Sequence, residues 1–439
     1  MTTGVEQDKS TPLGHDGGLF RRLSQFAVGN RDSINAYLSM IGGSVGRLVI
    51  SMAYFIAVAN TLSIAEFGLF ATASACGIML SRLLAFGFVS PLYRVATVKR
   101  RLLGAYTAGF LGGALVSLPV IALAAIATHW VIFTGELEFW VFARILIAEI
   151  LCWRIMEIVV IVSYGVNRFG AGSTLVVLAT AMKAIAALAL ALSAYSTLAE
   201  WSWFYLVANG SAAVCAVIFY YPRVRLRWAP KLYLRRWVDA VSVAGAEMLF
   251  YVQSELDKVL VLSIGGPETA GIYAIIMRLV DLTALPVRSF LTILTQRLMR
   301  SSKQLDNLKV RVGLESVVAF VSTGGILAMA LVLTFYPNLL GNNVSQAVPF
   351  LILVAMVPAL RNLLEYHSEL LYATGRTVVR TFVLATLGIA KAAMLSVLLV
   401  QGFETELWVL LINVLFLVLY LQSALLTYRA LGRPARRAI

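Results

Sequence analysis

The sequence predicts an all-α polytopic membrane protein of twelve transmembrane helices, arranged as two six-helix bundles. Three observations predict it: the composition, the placement of positive charge along the chain, and an internal repeat. The 439 residues are 60% hydrophobic and only 13% charged, with a mean hydropathy of +0.85. A soluble domain holds roughly 25% charged residues, and this chain carries more apolar surface than one water-soluble core can hide. Apolar stretches recur from Ile34 onward, each near the ~20 residues that the hydrocarbon core of a bilayer requires. The spans read as 35–59, 67–93, 103–127, 139–163, 173–195, 202–221, 238–263, 270–295, 312–335, 348–373, 377–400 and 407–428.

The second observation fixes orientation. Arg94, Lys99, Arg100 and Arg101 follow span two, and Arg168 follows span four. Arg223, Arg225, Arg227, Lys231, Arg235 and Arg236 follow span six. Arg297, Arg300, Lys303, Lys309 and Arg311 follow span eight, and Arg376 follows span ten. The odd-numbered loops contain no Lys or Arg, although they carry Glu66, Glu136, Glu138, Glu200, Glu268, Glu404 and Glu406. Loops retained in the cytoplasm collect Lys and Arg. The pattern therefore expects an inner-membrane protein with both ends cytoplasmic: a tail over 1–33, a basic linker over 222–237 between the bundles 34–221 and 238–428, and a basic tail over 429–439. The first 33 residues are polar and mixed in charge, unlike a secretory signal. The net charge of +14 is distributed by membrane side rather than gathered in one patch, which argues against a nucleic-acid partner.

The repeat is the third observation. Gly68-Leu69-Phe70 matches Gly271-Ile272-Tyr273 at an offset of 203, which also pairs Arg94 with Arg297. Tyr164 and Tyr372, Arg168 and Arg376, Glu157 and Glu365, and Lys183 and Lys391 are related by an offset of 208. Six spans per half make this a parallel repeat, its pseudo-two-fold along the membrane normal.

Charge within the spans supplies the candidate site. A charge at the centre of a spanning helix costs ~2.5–3.5 kcal/mol even on the lenient insertion scale, so each must be paired or face water. Arg154 and Glu157, Arg278 and Asp281, and Arg361 and Glu365 lie three or four apart, on one helical face, and read as either structural pairs or coupling elements, as does Asp257. Arg47, Arg82, Lys183 and Lys391 fall near mid-span with no opposite charge one turn away. They read as the lining of a central anion cavity, the planar donor fork of Arg being well matched to phosphate oxygens. Glu157 and Glu365, at equivalent repeat positions, read as gating carboxylates. His367 reads as a packing histidine. Cys76, Cys152 and Cys215 fit neither a disulfide framework nor a metal cluster. No phosphate-binding glycine loop or HExxH motif is present, and neither an enzyme nor a cofactor is expected. Gly109 with Gly112-Gly113 reads as a close-packing surface.

Two stretches resemble a known family. Glu255-Leu256-Asp257-Lys258 through Gly265-Gly266-Pro267-Glu268-Thr269-Ala270-Gly271-Ile272-Tyr273, and Leu370-Leu371-Tyr372-Ala373-Thr374-Gly375-Arg376, resemble the Wzx-type polysaccharide flippases of the multidrug/oligosaccharidyl-lipid/polysaccharide exporter superfamily. The resemblance implies a V-shaped, MATE-like pair of bundles with alternating access. It implies an undecaprenyl-diphosphate-linked oligosaccharide as substrate, moved to the periplasmic leaflet for surface polysaccharide synthesis. A polysaccharide polymerase and a chain-length regulator would then be partners. A cation-coupled multidrug or metabolite exporter of the same superfamily, and a non-transporting scaffold for glycan assembly, stay open as alternatives.

The charge asymmetry has a direct test. Cysteines introduced at residues 135 and 342 are expected to react with an impermeant thiol reagent in intact cells. A cysteine at 226 is expected to stay protected until the membrane is permeabilised, and labelling there in intact cells would reverse the assigned orientation.

Overall fold

A computed structural model describes residues 31–193, 196–300 and 308–432 of the chain. The N-terminal tail through residue 30, the C-terminal tail from residue 433 and Lys303 lie outside them. The described residues are all-helical, and they pass back and forth twelve times. Eight stretches are long and apolar enough to cross a bilayer, and one of these, Ala240–Arg288, holds two passes.

Pro230–Arg300 is one hydrogen-bonded run of helix that contains a reversal at Gly266, where φ is +79°. The evidence for a reversal is geometric. Residues sixteen apart in a straight helix are about 24 Å apart, yet Tyr273 donates to Asp257 Oδ2 at 2.7 Å. The chain must therefore fold back between them, and only Gly adopts this backbone conformation at no steric cost. The spans expected at 238–263 and 270–295 are the two arms of this hairpin. Its first arm begins at Pro230, so helix takes up part of the segment expected to be linker.

Other spans are interrupted. Span two runs over Ile64–Ser81, a tight turn at Leu84–Gly87, and Val89–Val98. Ala85 and Phe86 take left-handed backbone angles in that turn, which breaks the straight helix expected over 67–93. Span four is Phe139–Ile147, a widened π-helical stretch at Ala148–Trp153, and Arg154–Gly165. Span ten is Val348–Leu353 followed by Val357–Ala373. The loop before it contains helical turns at Pro337–Leu340 and Asn342–Ser345.

The start of span two shows how local sequence sets a helix. Ser63 Oγ accepts from the Glu66 amide, and Glu66 Oε2 accepts from the Ser63 amide at 3.0 Å, a reciprocal cap. Glu66 Oε1 also accepts from the Leu198 amide at 2.9 Å and so anchors the start of span six. The close-packing glycines of span three meet the segment after span six. The Tyr233 ring lies against Gly109 and the Trp228 ring against Gly112, while the Tyr233 hydroxyl donates to the Ala105 carbonyl at 2.9 Å. That segment is thus strapped to span three rather than loose.

The exterior is apolar. Leu115, Leu123, Val207, Phe320, Leu331 and Ile389 are among the large exposed hydrophobic residues, as a lipid-facing surface requires. Exposed Trp130, Trp140, Trp203 and Tyr336 near the odd-numbered loops, with Trp228 and Trp237 at the opposite end, mark two interfacial belts.

The two halves meet at their odd-loop ends. Asn60, closing span one, donates to the Leu340 carbonyl at 2.7 Å and accepts from the Asn343 amide at 3.0 Å. Asn343 Nδ2 donates in turn to the carbonyls of Ala59 and Leu62 at 2.9 and 2.7 Å. Beside them the repeat-equivalent glycines approach one another. A Cβ on Gly68 would stand 2.5 Å from the Gly271 nitrogen, and one on Gly271 would stand 2.0 Å from the Ile64 carbonyl oxygen. The spans that start at these two residues cross backbone to backbone. Gly271→Val is expected to force this contact apart at a cost of about 1–3 kcal/mol, the usual range for overpacking. Thermal unfolding of the purified variant should show a lowered midpoint. The same substitution at Gly245, where a Cβ would meet nothing within 4 Å, is the control.

Candidate functional site

Most of the charged residues within the described spans fall into three groups, set by which helices bring them together. The first is a buried ion-pair cluster. Arg82, at the break in span two, is 4% exposed and reaches both oxygens of Glu157 at 3.1–3.2 Å. Arg154 is 1% exposed and binds Glu157 at 2.8 Å, one turn away, and Glu247 of span seven at 3.3 Å. The Arg82 guanidinium also stacks over the Tyr251 ring at 4.0 Å. Arg82 is thus not the unpaired cavity cation expected from its own helix. Its partner comes from span four, and the cluster ties spans two and four to span seven of the other half.

The second group lies within the C-terminal half. Lys391, 3% exposed, pairs with Asp257 Oδ2 at 2.8 Å and donates to the Gln253 carbonyl at 3.0 Å. Asp257, 2% exposed, is completed by the Tyr273 hydroxyl. Lys391 is therefore also paired, contrary to its expected place among the unpaired cations. Two expected same-face pairs are replaced as well. Arg361 reaches Asp281 at 3.1 Å, and Glu365 takes Arg288 at 3.1 Å. Arg278 donates to Ser51 of span one. Partners across neighbouring helices displace partners along one helix. A cavity of only about 60 Å³ remains beside Lys391, lined in part by Phe250, Ser254 and Arg361.

The third group surrounds a cavity of about 320 Å³ between the N-terminal half and spans seven and eight. Its charged lining is Arg47, Lys183, Lys258 and Arg278 with Glu149, Glu255 and Asp281. Glu255 is bonded to Lys258 at 2.5 Å, and Asp281 to Arg361. Arg47, Lys183 and Arg278 then face one remaining carboxylate, Glu149. Lys183 Nζ lies 3.6 Å over the Trp153 ring and 5.8 Å over the Tyr54 ring. Glu149, 3% exposed, accepts from Ser74 at 2.6 Å and from Tyr205 at 2.5 Å. Of the four residues expected to line one cavity, the structure brings Arg47 and Lys183 together and places Arg82 and Lys391 in the paired clusters. Arg278 and Glu149 join the lining. Both are visible in the sequence as charges within spans, but nothing in the one-dimensional pattern aims them at this space.

The repeat explains why one half is closed and the other open. The offset of 208 relates Lys183 to Lys391, and the offset of 203 relates Tyr54 to Asp257 and Phe70 to Tyr273. The Lys–Asp–Tyr triad that neutralises the C-terminal site is Lys–Tyr–Phe in the N-terminal one. The lysine is kept, while the aspartate and the tyrosine hydroxyl at those two positions are replaced, and the carboxylate that acts on Lys183 is instead Glu149 of span four. Trp153 stands where the second site has Arg361, and a cation–π contact takes over part of the stabilisation.

A second titratable cluster lies apart from both cavities. Glu315 accepts from Tyr420 at 2.7 Å, from Tyr428, and pairs with His367 at 3.1 Å. His367 is fully buried and bonded to Ser423 on its other nitrogen at 3.1 Å, a satisfied packing histidine.

These assignments separate structural charges from available ones. Asp257→Asn leaves the buried ammonium of Lys391 uncompensated and is expected to cost about 3–5 kcal/mol, read as a large drop in thermal stability. The Asp257→Asn, Lys391→Gln double variant should recover much of it. Lys183→Gln alone, with no ion pair to break, should change stability far less.

No protein-family model and no curated protein matches this chain. Solved structures do. An inward-facing multidrug resistance MATE family transporter of the MOP superfamily superposes with a TM-score of 0.58 at 12% identity, covering 89% of this chain and 100% of that one. A MATE crystallised in complex with MaL6 gives 0.56 at 11% identity, with 92% and 97% covered. A MOP superfamily transporter from Pyrococcus furiosus, described as having a binding pocket of reverse polarity, gives 0.53 at 11% identity over 92% and 97%. The chain has the polytopic two-bundle fold of the MATE-type transporters of the MOP superfamily.

Proposed function

We propose that this protein is a flippase that moves undecaprenyl-diphosphate-linked oligosaccharides from the cytoplasmic to the outer leaflet of the bacterial inner membrane. The observation that carries the reading is the cavity at Lys183. Three cations, Arg47, Lys183 and Arg278, are set against one carboxylate in a low-dielectric space where the repeat-equivalent lysine has its own aspartate. That surplus suits a diphosphate. Two guanidinium forks and one ammonium offer the charge-assisted donors that phosphate oxygens take up. An exporter of cationic drugs would be served by the opposite balance. The ion-pair cluster that joins Arg154 to Glu247 across the two halves is the natural coupling element, with Glu157 at its centre. Arg288–Glu365 is its counterpart in the C-terminal half. Substrate in the cavity between the halves would favour one arrangement of these contacts over the other, which is what alternating access requires.

Each charge-assisted contact to phosphate is worth roughly 1.5–3 kcal/mol, so Lys183→Ala or Arg278→Ala should lower glycan export by tenfold or more while the protein still inserts. Arg47→Lys should rescue only in part, because a point charge does not reproduce the fork. The measurement is extraction of lipid-linked glycans from cells that lack the protein or carry a variant, with leaflet assignment. Accumulation of an undecaprenyl-linked oligosaccharide on the cytoplasmic leaflet is expected. Normal glycan export in the deletion, with altered sensitivity to cationic drugs, would replace this reading with that of a multidrug exporter.

A further inference from the structure

We infer that anion binding in the Lys183 cavity is coupled to the uptake of one proton by Glu149, so that anion and proton enter the site together. The inference rests on the anion reading of the cavity and adds a second ligand to it. Glu149 lies in the widened stretch Ala148–Trp153 of span four. A π-helical insertion inside a spanning helix is a common mark of a functional position. Both donors that reach the carboxylate, Ser74 Oγ and Tyr205 Oη, bind the same oxygen, Oε1. Oε2 accepts no hydrogen bond among the described residues. A proton on Oε2 would leave both existing bonds intact, since a carboxylic acid keeps the acceptor capacity of its carbonyl oxygen. Trp153, four residues further along the helix, carries the Lys183 ammonium over its ring. Carboxylate and ammonium therefore serve the same space.

The titratable and charged groups that share the cavity with Glu149 are Arg47 and Tyr54 from span one, Lys183 from span five, Tyr205 from span six, Glu255 and Lys258, paired with each other, from span seven, and Arg278 and Asp281 from span eight, with Ser74 and Arg82 of span two and Cys152 of its own helix beside it. Arg82 is committed to Glu157. In the empty cavity Glu149 is the counter-charge for Lys183, with Arg47 and Arg278 lining the same space. A dianion that binds those cations brings two negative charges beside a buried carboxylate. Like charges that share a low-dielectric site disfavour joint ionisation, and a proton on Glu149 relieves the conflict. Linkage then fixes the sign: the proton raises anion affinity, and the anion raises proton affinity by the same factor. Affinity should rise as pH falls through the range in which Glu149 titrates.

Sulfate is the probe, because it stays a dianion across neutral pH. Binding to the full-length protein in nanodiscs is measured by calorimetry in two buffers of different ionisation enthalpy. Wild type is expected to take up close to one proton per sulfate and to bind more tightly at pH 6 than at pH 8. Glu149→Gln keeps an Oε1 acceptor for Ser74 and Tyr205. It is expected to bind sulfate roughly tenfold more tightly than wild type at pH 8, with no proton uptake. An infrared difference spectrum of wild type on sulfate addition should gain a protonated-carboxyl band, which does not depend on the variant folding. Sulfate binding without proton uptake or this band, or uptake that survives in Glu149→Gln, overturns the inference and leaves the anion site standing. Failure of both wild type and Glu149→Gln to bind sulfate overturns the anion cavity and the inference with it.

Discussion

A charge inside a bilayer has few stable settings: an opposite charge, a set of hydrogen-bond donors or acceptors, an aromatic face, or a water-filled space. The whole interior is organised by that constraint. Arg82 and Arg154 share Glu157, Lys391 has Asp257, Arg361 has Asp281, and Glu255 has Lys258. Each of these pairs is a contact between helices or between turns of one helix, so neutralising the charges also fixes the packing. Breaking a buried pair by removing one partner is far more costly than never having built it. Such pairs therefore hold helices in register even where they add little net stability.

Against that background the cavity at Lys183 is informative because it departs from the rule. The same lysine position occurs in both halves, and one half supplies an aspartate and a tyrosine hydroxyl where the other supplies Tyr54 and Phe70. The space beside Lys391 is about 60 Å³ around a complete ion pair, while the one beside Lys183, shared with spans seven and eight, is about 320 Å³ around an ammonium held on tryptophan. Packing follows electrostatics here. A lysine with its own carboxylate draws helices together, whereas one without it keeps a polar space beside it.

Much of the fold was legible in the sequence because a membrane reduces the problem to one dimension. Apolar runs gave the twelve passes, and weak identities such as Gly68 with Gly271 gave the repeat. The same reduction explains what was missed. Spacing along one helix correctly paired Arg154 with Glu157, but it paired Arg361 with Glu365 and left Arg82 and Lys391 alone. Their partners, Asp281, Glu157 and Asp257, sit on other helices, and inter-helix distance is set by packing that periodicity does not encode. The break in span two at Ala85 and Phe86 was illegible for a related reason. Both residues are ordinary helix formers in composition, and only their tertiary surroundings, including the Ser117 hydroxyl that accepts from the Ala85 amide, hold the turn. The turn in turn places Arg82 against Glu157, so an unreadable backbone feature decided a misread side chain.

The contacts that close the odd-loop end differ in kind from those inside. Asn60 and Asn343 join the halves through four hydrogen bonds between uncharged groups, and Gly68 with Gly271 adds backbone contact without a salt bridge. At a net worth of about 0.5–1.5 kcal/mol each, the four bonds together hold the end shut by about 2–6 kcal/mol. Moving a two-state equilibrium from almost wholly one state to almost wholly the other takes ~5.5 kcal/mol of differential binding. Two or three charge-assisted contacts, at roughly 1.5–3 kcal/mol each, are of that size. A buried pair costs about 3–5 kcal/mol when one partner is removed, and each half holds more than one: Arg82 and Arg154 on Glu157 in one, Lys391–Asp257 and Arg361–Asp281 in the other, so unpacking a half costs a multiple of that. Energies of this size match the four hydrogen bonds between the halves and fall short of unpacking either half.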